Sequence, residues 1–303
     1  MNTHLRKAKL SMGPVLFNWS PEKWRDFYFR IADETDVETV YVGEVICSKR
    51  APFFAPVIPD VIERLQASGK EVIHSTLALV MNDREVKAIK ELAQEPDMLL
   101  EANDMSAVAN LKGRDYVVGP FINVYNEGTR DYLISTGAFR ISLPVEMPAK
   151  SISKLAENCS SEVEVQVFGR QLLALSARCY HARSQELSKD GCLFVCEQDP
   201  DGMNVQTIAN QSFLNVNGTA TMSHTYCVLM AEMAELASMG VTHFRLSPQD
   251  VDMVAVSALY RSFIQGKIDA DEATARLALI TGAVPHSNGF YHGVEGVSWV
   301  GHT

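Results

Sequence analysis

Four of the six cysteines in this 303-residue chain stand where thiolate chemistry is favoured. Cys47 ends the run Gly43-Glu-Val-Ile-Cys47 and is followed by Ser48, Lys49 and Arg50. Cys179 follows Arg178 in Ser176-Ala-Arg-Cys179, and Cys192-Leu-Phe-Val-Cys196 comes shortly after it. Cationic neighbours lower a thiol pKa and favour the metal-binding form. Four thiols, three in one loop and one far upstream, make a complete ligand set for an iron-sulfur cluster held by cysteine alone. The expectation is that Cys47, Cys179, Cys192 and Cys196 ligate one cluster.

Other metals match less well. Zinc sites usually come as two close pairs, and only Cys192 and Cys196 are close here. A radical-SAM cluster needs a third cysteine three positions on, where Asp199 stands. Buried structural thiols are the bland alternative. Cys159 and Cys227 read as lying in or beside helices, lack basic neighbours, and are expected to be inert packing residues. His74, His181, His224 and His243 are scattered, and no spacing makes any of them a ligand. The chain holds no Walker-type loop, no GxSxG elbow and no HExxH motif.

Asp and Glu outnumber Lys and Arg 37 to 27, a formal net charge of -10. A bulk field of that sign disfavours nucleic acid and anionic membrane. Residues 1–10 carry positive charge without an apolar run of signal-peptide length, and no segment approaches the roughly 20 apolar residues of a spanning helix. A cytoplasmic protein with no membrane span is expected. In a reducing compartment six cysteines signal metal or redox chemistry rather than disulfides.

The elements that must carry the thiols alternate with a short period. Strands are expected at Gly13–Phe17, Thr39–Gly43, Glu71–Leu79, Met98–Glu101, Tyr116–Val124, Phe139–Leu143 and Val163–Val167, and an eighth at Val241–Leu246. Ser20-Pro21 caps a helix whose Trp24, Phe27, Tyr28 and Ile31 form one apolar face. Further helices are expected at Val57–Ser68, after the capping box Asn82-Asp-Arg-Glu85, at Tyr226–Met239, after Ser247-Pro248, and from Asp269 to Gly282. Met203–Ile208 and Ser212–Val216 read as a hairpin. This α/β alternation predicts a (β/α)8 TIM-like barrel, with distortion allowed, over an open doubly wound sheet. One domain spans 1–303, with an iron-sulfur insertion over 169–225 after strand seven and a C-terminal tail over 283–303.

Chemistry in such a barrel sits at the carboxyl ends of the strands. Cys47 follows strand two and Cys179 follows strand seven, so both thiol segments leave the same rim. Glu44, Glu101 with Asn103, Asn123 with Asn126, Glu146, and Arg245 with Ser247 fall at equivalent points, where the bland reading is a cap or a solvated loop residue. Glu162, Glu164 and Gln166 alternate with Val163, Val165 and Val167, although a parallel strand covered on both faces should be nearly all apolar. If the valines face the helices, Glu164 points into the barrel and needs an Arg or a ligand beside it; an edge position is the alternative. Glu44, Glu101, Glu146, Glu164 and Arg245 are the candidate catalytic residues.

Gly13-Pro-Val-Leu16, Gly43 to Arg50, Ser75-Thr-Leu-Ala-Leu-Val80, Glu101-Ala-Asn-Asp104, Tyr125-Asn126, Pro144-Val-Glu146, the three-cysteine loop and Arg245-Leu-Ser-Pro-Gln249 together resemble the collagenase-like peptidase-U family. The likeness is to its branch that serves ubiquinone biosynthesis without oxygen, and it runs nearly end to end. The resemblance implies a 4Fe-4S cluster on Cys47, Cys179, Cys192 and Cys196. It also implies a heterodimer with a UbiU-like sister protein and a part in hydroxylating the ubiquinone ring precursor anaerobically. That precursor is very apolar and the chain offers no anchor, so delivery by a lipid-carrier protein is expected. The peptidase name does not carry over, since no protease constellation accompanies it. Two roles stay open: subunit of the hydroxylase, or accessory module whose cluster stabilises the partner interface. A peptidase-like hydrolase ranks below both.

Overall fold

Thr39-Val-Tyr-Val42 buries all four side chains, as a parallel strand covered on both faces should. In the computed structural model, which describes residues 4–301, it is one of twelve strands. These are β1 (Lys9–Met12), β2 (Thr39–Val42), β3 (Glu71–Ser75), β4 (Leu99–Ala102), β5 (Tyr116–Val118), β6 (Ala138–Ser142), β7 (Glu162–Leu175), β8 (Met203–Gln206), β9 (Ser212–Asn217), β10 (Ala220–Val228), β11 (His243–Leu246) and β12 (His286–Ser287). Strands β1 to β7 pair in sequence order, all parallel, and β11 closes the ring by pairing with β7 and β1. The chain is thus a TIM-like barrel of eight parallel strands with extra strands outside it.

Helices cover the outside because each carries one apolar stripe. In the helix Pro21–Glu34, Trp24, Tyr28 and Ile31 are buried, and Ser20 Oγ accepts the Lys23 N–H at 3.2 Å to cap its first turn. Burying each such side chain contributes about 2 kcal/mol. Inside the ring, Tyr41, Ile73 and Val117 form a separate small cluster, and polar side chains fill the rest. No helix among the described residues is long and apolar enough to cross a membrane.

Four expectations are corrected. The first strand is Lys9–Met12, not Gly13–Phe17. Its pairing with β11 runs from Lys9 opposite His243 to Met12 opposite Leu246, and the Gly13 N–H donates to the Leu246 carbonyl where the strand ends. Residues 13–17 cross the rim, burying Val15, Leu16 and Phe17. Strand β10 replaces the first part of the helix expected over Tyr226–Met239, which is helical only at Met233–Met239. Its antiparallel pairing with the far half of β7 decides between two periods that an apolar run fits equally. Cys227 therefore lies in a strand. Ser247-Pro248 caps nothing; Asp252 caps the helix Met253–Ile264 by accepting from Val254 and Ala255. The strands expected at Glu71–Leu79 and Tyr116–Val124 stop at Ser75 and Val118, the second where Pro120 opens a 3-10 turn.

Beyond Phe168, β7 leaves the ring and pairs antiparallel with β10, and the β8–β9 hairpin continues that sheet. Gly169 marks the departure, with φ +105° and no room for a Cβ, which would lie 2.7 Å from the Ser247 carbonyl oxygen. The cysteine-bearing segment hangs from this ribbon over the carboxyl ends of the barrel strands.

Candidate functional site

Inside the barrel the structure joins Glu101, Glu164 and Arg245. Arg245 Nη2 lies 2.6 Å from Glu101 and 2.5 Å from Glu164, and its Nε donates to Glu164 at 2.9 Å. Ser11 and Tyr41 donate to Glu164, while Ser75 and Asn103 donate to Glu101 at 2.6 and 3.0 Å. Glu164 thus points inward, as the alternation along β7 predicts. Burial pushes its carboxyl up, but Arg245 and Arg140 outweigh that and hold it at about 2. A carboxylate held in its ionised form by a guanidinium that bonds it through both Nε and Nη2 is not poised to move a proton.

The second gathering is at the rim. Cys47, Cys179, Cys192 and Cys196 line one small cavity together with Lys49, Arg50 and Lys189, and all six cysteines of the chain are free. Glu44 shapes the upstream arm: its carboxylate accepts the Ile46 and Cys47 N–H groups at 2.7 and 2.9 Å, turning the chain after β2. Gly43, at φ +109°, permits that turn, since a Cβ there would lie 2.7 Å from the Ser75 carbonyl oxygen. The downstream arm begins at Cys179, whose Sγ caps the helix Tyr180–Ser184 by accepting from Ala182 at 3.4 Å. Leu193 and Phe194 both take positive φ, 49° and 53°, to bring Cys192 and Cys196 to the same cavity. Two consecutive left-handed non-glycine residues are costly, and such strain persists where the surroundings impose it. The Phe194 ring packs edge-on to Phe53, tying the two arms together.

Arg50 is the central cation here. It is 1 % exposed and donates to the Leu16 carbonyl and to Asn217 Oδ1. Its Nε is buried without a hydrogen-bond partner, a bare donor in a cavity lined by thiols. Burial pushes the guanidinium pKa down, while Glu44, Cys196 and Cys47 more than restore it. The thiols correct one expectation. Burial raises the Cys47 and Cys179 pKa values by more than neighbouring charge lowers them, so cations alone do not make these thiolates. A bound metal does that directly, because ligation displaces the proton.

Four thiols on one cavity make a cysteine-only donor set of the kind an iron-sulfur cluster takes, one thiolate to each iron. No three His, Cys, Asp or Glu donors among the described residues converge to hold a single metal ion. The bare Arg50 Nε and the Asn18 Nδ2 donor, 3.4 Å from Cys196 Sγ, match the hydrogen bonds that cluster sulfurs accept. Cys159 is half-buried and Cys227 buried, and neither lines this cavity.

The remaining rim residues stay apart. Glu146 accepts from Tyr125 in a cavity that Asn123 also lines, and Asn126 caps the helix Glu127–Ser135. Ser247 packs against Gly169. Sequence reasoning missed Asn18, which lies 178 residues from its cysteine. It also missed the pair His181 Nε2–Asp199 Oδ2 at 2.8 Å, and no spacing signals either.

Barrel and insertion together define a TIM-like scaffold with a four-thiol cavity built over its carboxyl-end rim. Peptidase family U32 matches residues 19–300, and the chain belongs to that family. Among solved structures it is similar to the U32 peptidase Mk0906, at 14% identity over 80% of this chain and 94% of that one, with a TM-score of 0.47. It is also similar to a tryptophan synthase complex from Pyrococcus furiosus (12% identity, 90% and 95% covered, TM-score 0.42). A tryptophan synthase alpha subunit from Campylobacter jejuni matches at 9% identity, 86% and 94% covered, with a TM-score of 0.29.

Proposed function

We propose that this chain is a UbiV-like iron-sulfur subunit needed for oxygen-independent hydroxylation in ubiquinone biosynthesis, acting with a UbiU-like partner. The observation that carries the reading is the meeting of Cys47 with Cys179, Cys192 and Cys196 around one cavity beside a buried Arg50. Bound there, a 4Fe-4S cluster would supply one-electron chemistry. The chain's own groups hold it: four thiolates ligate, Arg50 and Lys49 offset their negative charge, Asn18 donates to sulfur, and Glu44 fixes the Cys47 loop. The apolar ring precursor reaches the complex from a lipid-carrier protein.

One observation favours the accessory-module alternative. Glu101, Glu164 and Arg245 satisfy one another inside the barrel, which leaves acid-base work to Glu44, Glu146 or the partner. The test is iron and sulfide content, with the visible spectrum, of protein purified without oxygen. Replacing Cys47, Cys179, Cys192 or Cys196 by Ala should each strip the iron, while Cys159→Ala and Cys227→Ala should retain it. Full iron retention in Cys47→Ala would remove that residue from the ligand set and the two-arm site with it.

A further inference from the structure

The segment 44–55 separates two cavities. Cys47, Lys49 and Arg50 face the thiol cavity, whereas Glu44, Ser48, Ala51, Pro52, Phe54 and Ala55 line a different one on the other side. This second cavity has a volume of about 300 Å³ and lies between β3 and the helices Ile58–Ala67 and Asp83–Gln94. Phe54, Ile58, Ile89 and Leu92 make its walls apolar. A dry cavity of about 150 Å³ suffices for benzene, so this one has room for a ring and a short substituent. Polar side chains share the lining, Glu44, Ser48, Arg84 and Glu85 among them, and of the polar lining His74, from β3, carries a buried Nδ1 with no hydrogen-bond partner. Gly43 lets the imidazole sit there, because a Cβ would lie 3.0 Å from its Nε2.

We propose that this cavity binds a small neutral aromatic ring carrying a hydroxyl, with His74 as the hydrogen-bond partner of that hydroxyl. Burial lowers the His74 pKa to about 4, so at neutral pH the ring is uncharged and offers one donor and one acceptor nitrogen. An anionic ring is disfavoured, since Glu44 and Glu85 line the cavity against the single cation Arg84. A ring bound there lies against the segment whose opposite side presents Cys47. The inference deepens the proposed function, on which it rests for biological meaning, by locating the apolar ring in this chain rather than in its partner.

The test uses full-length protein purified without oxygen and three probes, 2-propylphenol, propylbenzene and 2-propylbenzoate, with binding followed by saturation-transfer NMR and calorimetry. Expected is the order propylphenol, propylbenzene, propylbenzoate, the first step worth up to about tenfold, the value of one net hydrogen bond. His74→Phe should abolish the preference for the phenol while still binding propylbenzene. Ala88→Trp, at an exposed position on the cavity's helix, should weaken both neutral probes at least tenfold. Failure of the unmodified chain to bind either neutral probe, or equal binding of phenol and hydrocarbon, overturns the proposal without recourse to a variant. Iron content read on the same samples separates this outcome from the cluster assignment: an iron-free chain that still ranks the probes refutes only the cluster, and an iron-loaded chain that binds none refutes only the ring site.

Discussion

Arg245 inside the barrel and Arg50 beside the thiols are both buried guanidinium groups, yet they are treated differently. Arg245 meets two carboxylates within 2.6 Å. Arg50 donates to one carbonyl and one amide and leaves its Nε bare. A buried charge matched by two buried carboxylates serves the fold, because its charge is already balanced. A buried charge with a bare donor, set among thiols that line one cavity, is what a site for an anionic group requires. The contrast assigns architecture to the barrel interior and chemistry to the rim.

The strongest way to break that contrast is Arg245→Leu. It leaves Glu101 and Glu164 buried without their counter-charge, and breaking a buried pair from one side costs about 3 to 5 kcal/mol. Urea unfolding at neutral pH should show that loss. Adding Glu101→Leu and Glu164→Leu should recover part of it, because an apolar replacement of a whole buried ion cluster is often neutral. A loss below about 1 kcal/mol would mean that the interior charges are solvated and available for chemistry after all.

Acid offers a gentler probe of the same region. The Glu164 carboxyl is at about 2 in the fold against 4.5 for an unperturbed glutamate. A carboxyl depressed on folding stabilises the protein above its unfolded pKa and loses that contribution as pH falls through the folded one. Stability should therefore fall by on the order of 3 kcal/mol between pH 4.5 and 2 on account of this group. Glu164→Gln should flatten that limb, and an unchanged acid limb in the variant would place the titration elsewhere.

How much of this was legible in the sequence differs between the two regions for physical reasons. Glu164 stands out because a parallel strand has a strict two-residue period and its neighbours Val163 and Val165 fix the outward face. Cys47 and Cys179 could be placed at one rim because every strand of a barrel runs the same way. The first strand was misplaced because Gly13–Phe17 is more apolar than Lys9–Met12, and only pairing with β11 picks out the latter. Tyr226 and Cys227 read as helix for the same reason, since β10 owes its form to the far half of β7. The thiol pKa values were misjudged because Lys49 and Arg50 are visible in the chain, whereas burial of Cys47 is a tertiary fact. Asn18 and His181 carry no local signature at all.

The smallest expected effect sharpens the contrast from the rim. If the thiol region is chemistry mounted on a finished fold, Cys47→Ala should leave global unfolding nearly unchanged and loosen only what the cluster alone holds. The structure narrows that span. Residues from Phe194 onward have anchors of their own: Phe194 on Phe53, Trp19 Nε1 to the Pro200 carbonyl at 2.7 Å, Arg170 to Asp201, and Thr219 to the Ile46 carbonyl at 3.0 Å. Between Gln185 and Leu193 the ties to the rest of the chain are mainly those of Lys189 and Asp190 with Lys49, Met81 and Ala177. Tryptic cleavage after Lys189 should therefore speed up on the order of tenfold, about 1.4 kcal/mol of local opening, in Cys47→Ala or after chelation of iron. Far-UV circular dichroism and the urea midpoint should stay put. Cooperative loss of the whole chain on chelation would make the thiol region part of the core, and the division between a closed interior and an open rim would fail.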